Sequence, residues 1–533
     1  MQITYLGHAG FYVETASTII IMDPWLSTKG AFDAAWFQYP KNHHMADSVQ
    51  NLLASSTKDK YIYVSHEHKD HFDLEFLKSL KDRDFTLLLA DFVTPHIKRI
   101  LSTNNYLCKK IIALKDDEVF HFKDGFLTLF ILDMEVDCDS AILVKTKSGT
   151  FLNLNDCKIH ERLNTIVDTY GPIDVFTAQF SGAVWHPTCY KMDKKKYQTI
   201  SKNKNLRKFE LIAKAIEIIK PAIYLPSAGP PCFLDPLLLS INFQEVNTYP
   251  RAPRLIEFLN NRFLGKKIDT QWPEIMPGDR LDVSQLKFTH WVANRIKDSD
   301  FKNYVEAYAK EYEDFFKKRA LSNAKVDPKQ VFIDLEAELV NKLRHMKLIH
   351  KNLPIPLYFS IAEYKKEFYC IDFQKNSIKK TSKIEKTDHF VLISSPAWQV
   401  NKVLKEEITW ADFALTFRVS LEREADIYNT IMHGFLTLDA SSLDRFCELF
   451  FEIFSKKERI SVEYKGKIYS VLRYCPHQGG DLMNGWVEDC FLVCPRHQWK
   501  FDLENQGICR YNNASINAIC LGDKKDNEEP LLS

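Results

Sequence analysis

Short apolar runs alternate with amphipathic stretches through the first half of the chain, and that alternation predicts an α/β arrangement. Residues 3–6, 11–13, 18–22, 61–64, 86–89, 127–132, 141–144 and 150–154 are β-branched or apolar runs of strand length, several closed by Gly, Asp or Pro. Between them, residues 73–81 and 206–219 repeat apolar positions at three and four, the spacing of helices that bury one face. Sheets covered by helices account for both patterns over residues 1–285. Residues 286–455 open with charged helical patterns over 302–320 and 330–346. Strand-like pieces follow at 357–361, 368–373, 390–393 and 413–419, then a helical stretch at 443–454. This predicts a helical linker with a small α+β module. Residues 456–533 are rich in strand and turn signals, with a hairpin expected between 459–464 and 467–471 around Lys465-Gly466. The expected whole is an α+β multidomain chain whose last part is all-β.

Composition narrows the class. At 533 residues the chain exceeds a single core, and 45% hydrophobic with 26% charged residues excludes a disordered or fibrous protein. A formal net charge of +1 provides no global field to recruit nucleic acid or an anionic membrane, and Lys194-Lys195-Lys196 reads as a solvated face. No window approaches the roughly 18 apolar residues of a membrane span, and no basic segment followed by an apolar run opens the chain. A cytoplasmic protein with neither nucleic-acid nor membrane partners is therefore expected. Twelve cysteines over this length lack the density of a secreted disulfide scaffold, and Cys108, Cys370 and Cys447 read as inert buried thiols.

Two cysteines stand out by context. Cys475-Pro476-His477 is followed, after a hairpin-length segment, by Cys494-Pro495-Arg496-His497, with Gly479-Gly480 after the first histidine and Gln498-Trp499-Lys500-Phe501 after the second. A structural zinc site would use the same ligand types. It would not require the repeated Cys-Pro, the paired glycines or the aromatic residues, all of which resemble the Rieske pattern, in which two thiolates hold one iron of a [2Fe–2S] cluster and two imidazoles the other. Respiratory Rieske proteins add a disulfide between their loops, but the matching positions here are Gln478, Gly479 and Gln498. The site therefore resembles the lower-potential, oxygenase-associated type.

The second constellation, His66-Glu67-His68-Lys69-Asp70-His71, directly follows the predicted strand 61–64. The plain reading is a histidine-rich surface loop. The motif instead resembles the H-x-H-x-D-H signature of the metallo-β-lactamase fold, an αββα sandwich. Three more elements carry that resemblance: Asp156, ending a strand where the fold has its metal-bridging aspartate, His8, and Asp23-Pro24-Trp25. Imidazole and carboxylate suit zinc or non-haem iron, and one or two metals fit such a set. Two histidines of the fold are missing. Glu135 or Asp137 stands near the first vacancy and Asp235 near the second, a shift toward oxygen donors that favours iron over zinc. His186, beside Trp185, reads as a packed side chain.

A metallo-β-lactamase fold with a Rieske module resembles the CMP-N-acetylneuraminate hydroxylase family. The likeness extends to the segments 2–9, 23–26, 65–71, 156–157, 180–183 and 221–229 and to Asp426-Ile427-Tyr428. The animal members place the Rieske domain first, whereas here it comes last. The resemblance implies an O2-dependent monooxygenase, either a hydroxylase or an N-oxygenase. In it His66, His68, Asp70 and His71 hold metal, Asp156 bridges, Asp70 and His8 assist at the reacting centre, and an imidazole of His477 or His497 passes electrons from the cluster. A nucleotide sugar such as CMP-N-acetylneuraminate or a small biosynthetic metabolite is the expected substrate, with Arg251, Arg254 and Arg280 as candidate anion contacts. The alternative is a zinc hydrolase with a redox-sensing Rieske module. No Gly-rich dinucleotide fingerprint occurs, so the electrons are expected from an external ferredoxin, cytochrome or flavin reductase.

Overall fold

A computed structural model describes residues 1–533 except 183, 291–294, 351–352, 386–388, 425–427, 512–513 and 524–533; Asp426 and Ile427 thus lie outside the described residues. Two sheets face each other in the first 289 residues. The eight-stranded sheet runs in the order Lys287–Thr289, Arg280–Asp282, Gln2–Gly7, Gly10–Glu14, Thr18–Met22, Asp59–Val64, Thr86–Ala90, Lys110–Leu114. It is antiparallel as far as Thr18–Met22 and parallel beyond. The six-stranded sheet runs Ile223–Ser227, Val175–Gln179, Gly149–Asn153, Asp139–Thr146, Gly125–Leu132, Val119–Phe122. Phe11, Ile20, Met22 and Leu88 of the first sheet bury against Leu127, Ile142, Phe151 and Leu225 of the second.

Helices close both outer faces. His44–Ser55 and Leu74–Ser79 pack on the first sheet, and Lys194–Ile219 with Ala252–Arg262 on the second, giving the expected αββα sandwich. The strands that alternate in depth along the sequence are the buried ones here, because each apolar run lies between the opposite sheet and a helix layer.

Beyond the sandwich, a five-stranded sheet in the order Ser377–Thr381, Tyr364–Asp372, Leu357–Ile361, Phe390–Ser395, Ser420–Glu424 is backed by helices that include Pro328–Arg344 and Ala440–Ser455. Its core is continuous with Trp25, Trp36, Trp185 and Phe233 of the sandwich. Two expectations are corrected. Residues 413–419 do not form a strand: Thr409 and Asp412 make a capping box that starts the helix Trp410–Leu415, and the strand begins at Ser420. The helical pattern over 302–320 divides at Tyr312 into Phe301–Glu311 and Glu313–Asn323.

The C-terminal part contains a three-stranded sheet, Arg459–Tyr464, Lys467–Leu472 and Ile519–Asp523. A four-stranded one comprises Trp486–Glu488, Phe491–Val493, Lys500–Asp502 and Ile508–Cys509. The expected hairpin is present, turned by Lys465 and Gly466 with φ of 51° and 72°. Among the described residues no helix is long and apolar enough to cross a membrane.

Candidate functional site

The two Cys-His loops are the same turn built twice. Gly479 N–H donates to the Cys475 carbonyl (2.8 Å) and Cys475 N–H to that of Gly480 (2.9 Å); Gln498 to Cys494 (2.9 Å) and Cys494 to Trp499 (2.8 Å) repeat this. Each turn needs a left-handed residue at the same place, Gly479 at 66° and Gln498 at 55°. The repetition sets Cys475 beside Cys494 and His477 beside His497, with the imidazole centroids 4.5 Å apart. Trp499 stacks flat on His477 at 4.2 Å. A Cβ on Gly480 would stand 2.9 Å from the Cys494 sulfur, so the second glycine leaves room for a ligand atom.

The donor set fits the cluster. Both sulfurs are buried, and the His477 Nδ1 is buried with no hydrogen-bond partner among the described residues. The hydrogen bond with Cys475 holds the Cys494 thiol below its ordinary pKa, while burial pushes that of Cys475 up. Burial lowers both imidazoles, keeping them neutral as ligation requires.

In the sandwich, the loop after Asp59–Val64 delivers three imidazoles to the edge of both sheets. The His71 Nδ1 meets the Asp23 carboxylate at 2.8 Å, and Asp23 is itself fixed by the Ser65 N–H (2.8 Å) and hydroxyl (2.6 Å). This holds the ring with Nε2 facing Asp156 Oδ1 at 3.6 Å and Asp70 Oδ2 at 3.9 Å, too far for hydrogen bonds. His71 Nε2, Asp70 Oδ1 and Asp156 Oδ1 are buried with no hydrogen-bond partner among the described residues. The His66 Nδ1 lies 3.0 Å from the Ser65 hydroxyl and 3.2 Å from Asp139, leaving Nε2 turned to the His68 Nδ1 at 2.8 Å. Asp70 accepts from the His8 Nε2 at 3.0 Å. The donor atoms of His66, His71 and Asp156 lie within 4.8 Å of one another, and so do those of His8, Asp70 and His71. Orphaned donors converging while their other ring nitrogens are held by carboxylates are the arrangement a bound metal requires.

Charge follows the same geometry. Burial alone would lower the His71 pKa, but Asp156 and Asp70 outweigh it and push it well above the usual value. His66, buried and facing His71 and His68, is lowered. Burial pushes Asp139 up, with Asp156 adding to the effect.

His8, His66, His68, Asp70, His71 and Asp156 thus come together, and Glu135 and Asp235 do not join them. Glu135 accepts from the Thr94 hydroxyl and stands 3.8 Å from His96. Asp235 is bound to the buried Arg418 at 2.7 Å. Arg251 pairs with Asp298, Arg254 and Arg280 are exposed, and His186 packs on Tyr190. Sequence reasoning missed Asp23 as the partner of His71, Asp139 as that of His66, and Gln179, whose amide donates to Asp156. Asp139 stands at the start of a strand and Gln179 at the end of one, positions that carry no local motif.

The two sites meet across a polar seam. The His497 Nε2 is 3.2 Å from the Asp137 carboxylate, which is bound by the Lys158 ammonium at 2.7 Å. Arg496, between the two ligands of the second loop, donates to Glu161 at 2.8 Å, with both side chains largely buried. Asp137 lies two residues before Asp139.

Comparison with known proteins agrees with this architecture. The family models of a β-lactamase superfamily domain and a Rieske [2Fe-2S] domain match residues 2–135 and 441–519. The chain therefore has an N-terminal metallo-β-lactamase-fold domain and a C-terminal Rieske domain, the latter the binding unit of a [2Fe–2S] cluster. A Rieske 2Fe-2S iron-sulfur protein of Mycolicibacterium smegmatis is 28% identical over 96% of this chain and 98% of its own. The cytidine monophosphate-N-acetylneuraminic acid hydroxylase of Xenopus laevis is 23% identical over 80% of this chain and 70% of its own. Among solved structures CmlA, a diiron β-hydroxylase from Streptomyces venezuelae, matches at 14% identity with a TM-score of 0.35, over 53% of this chain and 54% of that one.

Proposed function

We propose that this chain is a Rieske-fed non-haem iron monooxygenase acting on a small molecule. The observation that carries the proposal is the seam. The edge of His497 rests on Asp137, and the chain runs directly from there to Asp139, the partner of His66. Two redox sites sharing a short bonded route suit electron transfer better than independent tasks. On this reading Cys475, His477, Cys494 and His497 hold the cluster, and His66, His68, Asp70, His71 and Asp156 hold one or two irons. The name of the Xenopus laevis relative supports hydroxylation as the reaction class.

Iron bound in the sandwich supplies O2 activation, and the cluster supplies electrons singly. The balance is O2, two electrons and two protons with a C–H substrate, giving the alcohol and water. The protein's own contributions are positional. Asp23 and Asp139 fix the rings of His71 and His66, which saves reorganisation during turnover. His8 hydrogen-bonds Asp70 and stands edge-on to Trp25 and His71, where it can hold a proton for the site. Phe32, edge-on to His68, and the buried Trp36 wall the site from water on the side of the middle module. Electrons come from an external donor.

The rival is a zinc hydrolase, favoured by the superfamily to which residues 2–135 match. Metal counting separates the two. In anaerobically purified protein we expect more than the two irons of a cluster, with acid-labile sulfide, and in the Cys475→Ala, Cys494→Ala double variant the sulfide lost and the excess iron kept. Only cluster iron, with zinc in the sandwich, would overturn the oxygenase.

A further inference from the structure

The arginines that sequence reasoning offered as substrate contacts are paired with Asp298 or exposed at the surface, yet a cation does stand beside the metal centre. Lys208 lies on the helix Lys194–Ile219, one turn after Lys204 and on the same face. Both lean on the loop that follows Val175–Gln179: the Lys204 ammonium donates to the His186 carbonyl at 2.6 Å and that of Lys208 to the Gly182 carbonyl at 3.1 Å. A Cβ at Gly182 would fall 2.7 Å from the Lys208 Nζ and 2.7 Å from the Gln179 Oε1, so the glycine lets ammonium and amide become neighbours. That same amide donates to Asp156. Lys208, Gly182, Gln179 and Asp156 therefore form one continuous wall running to the metal centre.

Lys208 is also the cation of this wall that the protein leaves without a counter-ion. Lys158 is taken by Asp137, whereas no carboxylate among the described residues comes within ion-pair distance of Lys208. Burial lowers its ammonium to about 8 despite the attraction of Asp156. Ser181, next to Gly182, contributes a buried hydroxyl with no hydrogen-bond partner among the described residues. A half-buried ammonium that meets a carbonyl but no counter-ion is costly to maintain, and an anion that arrives with the ligand offsets that cost.

We infer that Lys208 anchors an oxyanion of the substrate, a carboxylate or a phosphate, and so orients it against the metal centre. This rests on the oxygenase reading for its reaction but not for its binding. Its test titrates holoprotein with inorganic phosphate and, separately, acetate, reading thermal stabilisation against sodium chloride at equal ionic strength. Sandwich metal is measured on the same samples, and cluster absorbance reports that each variant is folded. One of the two anions should stabilise the wild type, which identifies the group as phosphate or carboxylate. Lys208→Met should weaken that anion by about tenfold or more, with Lys208→Gln as the second neutral replacement. Lys208→Arg, and Lys202→Gln on the exposed face, should stay within about threefold. Unchanged binding in both neutral variants would assign the anion to the metal and overturn the inference, as would stabilisation by neither anion. A Lys208-dependent effect in protein holding zinc would sink the oxygenase while sparing this subsite; iron in the sandwich without an anion effect would do the reverse.

Discussion

The Rieske loops and the sandwich centre solve the same problem in opposite ways. The cluster ligands come from one stretch, Cys475 to His497, in two copies of one turn, and their imidazoles are kept neutral by burial. The sandwich donors come from three separate places, His8, the run from His66 to His71 and Asp156, held at the meeting edges of two sheets, and their charge is set by alternating imidazole and carboxylate. A site built from a repeated turn is specified by local spacing and tolerates little else nearby. One built from strand ends depends on the whole sandwich and recruits partners from anywhere along the chain. The neutral imidazoles suit a cluster whose potential must rise above all-cysteine values, and the carboxylates suit a hard metal with open positions.

The sharpest way to break this comparison is to remove a donor that only the sandwich supplies. Asp156→Ala should strip the sandwich metal while leaving acid-labile sulfide and the cluster's spectrum at wild-type levels. Changes to outer partners alone cost about 10–100-fold in metal affinity, and loss of a carboxylate facing both His66 and His71 should exceed that. Metal analysis after dialysis gives the answer, and loss of sulfide in parallel would mean that the two sites are not separable.

The seam is the next test. Glu161→Gln leaves Arg496 charged and largely buried, which should cost about 3 kcal/mol in unfolding free energy. The exposed pair of Lys29 with Glu75 provides the contrast, and Glu75→Gln should stay within about 0.5 kcal/mol. Denaturant unfolding of both variants compares them directly. Equal effects would mean that the Rieske module rests on the sandwich without depending on it.

The same contrast explains what could be read in advance. The cluster motif and the His66–His71 run are local, so residue order alone carried them, and the strands 18–22 and 357–361 were legible because whole runs are buried. Asp139 and Gln179 were not legible as partners, since strand register brings them to the site and no neighbour in sequence marks them; Asp23 was marked by Asp23-Pro24-Trp25, but not its bond to His71. Glu135 and Asp235 were plausible by position along the chain, and tertiary pairing with Thr94 and His96, and with Arg418, takes them elsewhere. The misread strand at 413–419 has the alternation of a strand, but Thr409 and Asp412 satisfy the orphan N–H groups of a helix start, and that local bond decides the outcome.

The smallest expected effect concerns how the seam carries charge. The Lys214 ammonium sits 3.0 Å above the centroid of Trp486 of the Rieske module, a contact that favours the charged form. Burial works against it and wins, lowering the ammonium to about 8. In the unfolded chain the same group titrates near its ordinary value of about 10.4. Between those values the unfolded state binds the extra proton, so Lys214 makes stability rise with pH across that window; below it the full cost of the buried charge is present, and above it none. Lys214→Met removes both the cost and the ring contact. Its melting temperature relative to wild type should therefore be most favourable near pH 7 and fall steadily from pH 8 to 10. A flat difference over that range would show that Trp486 balances the burial of Lys214, and that the seam is as well solvated as the protein surface.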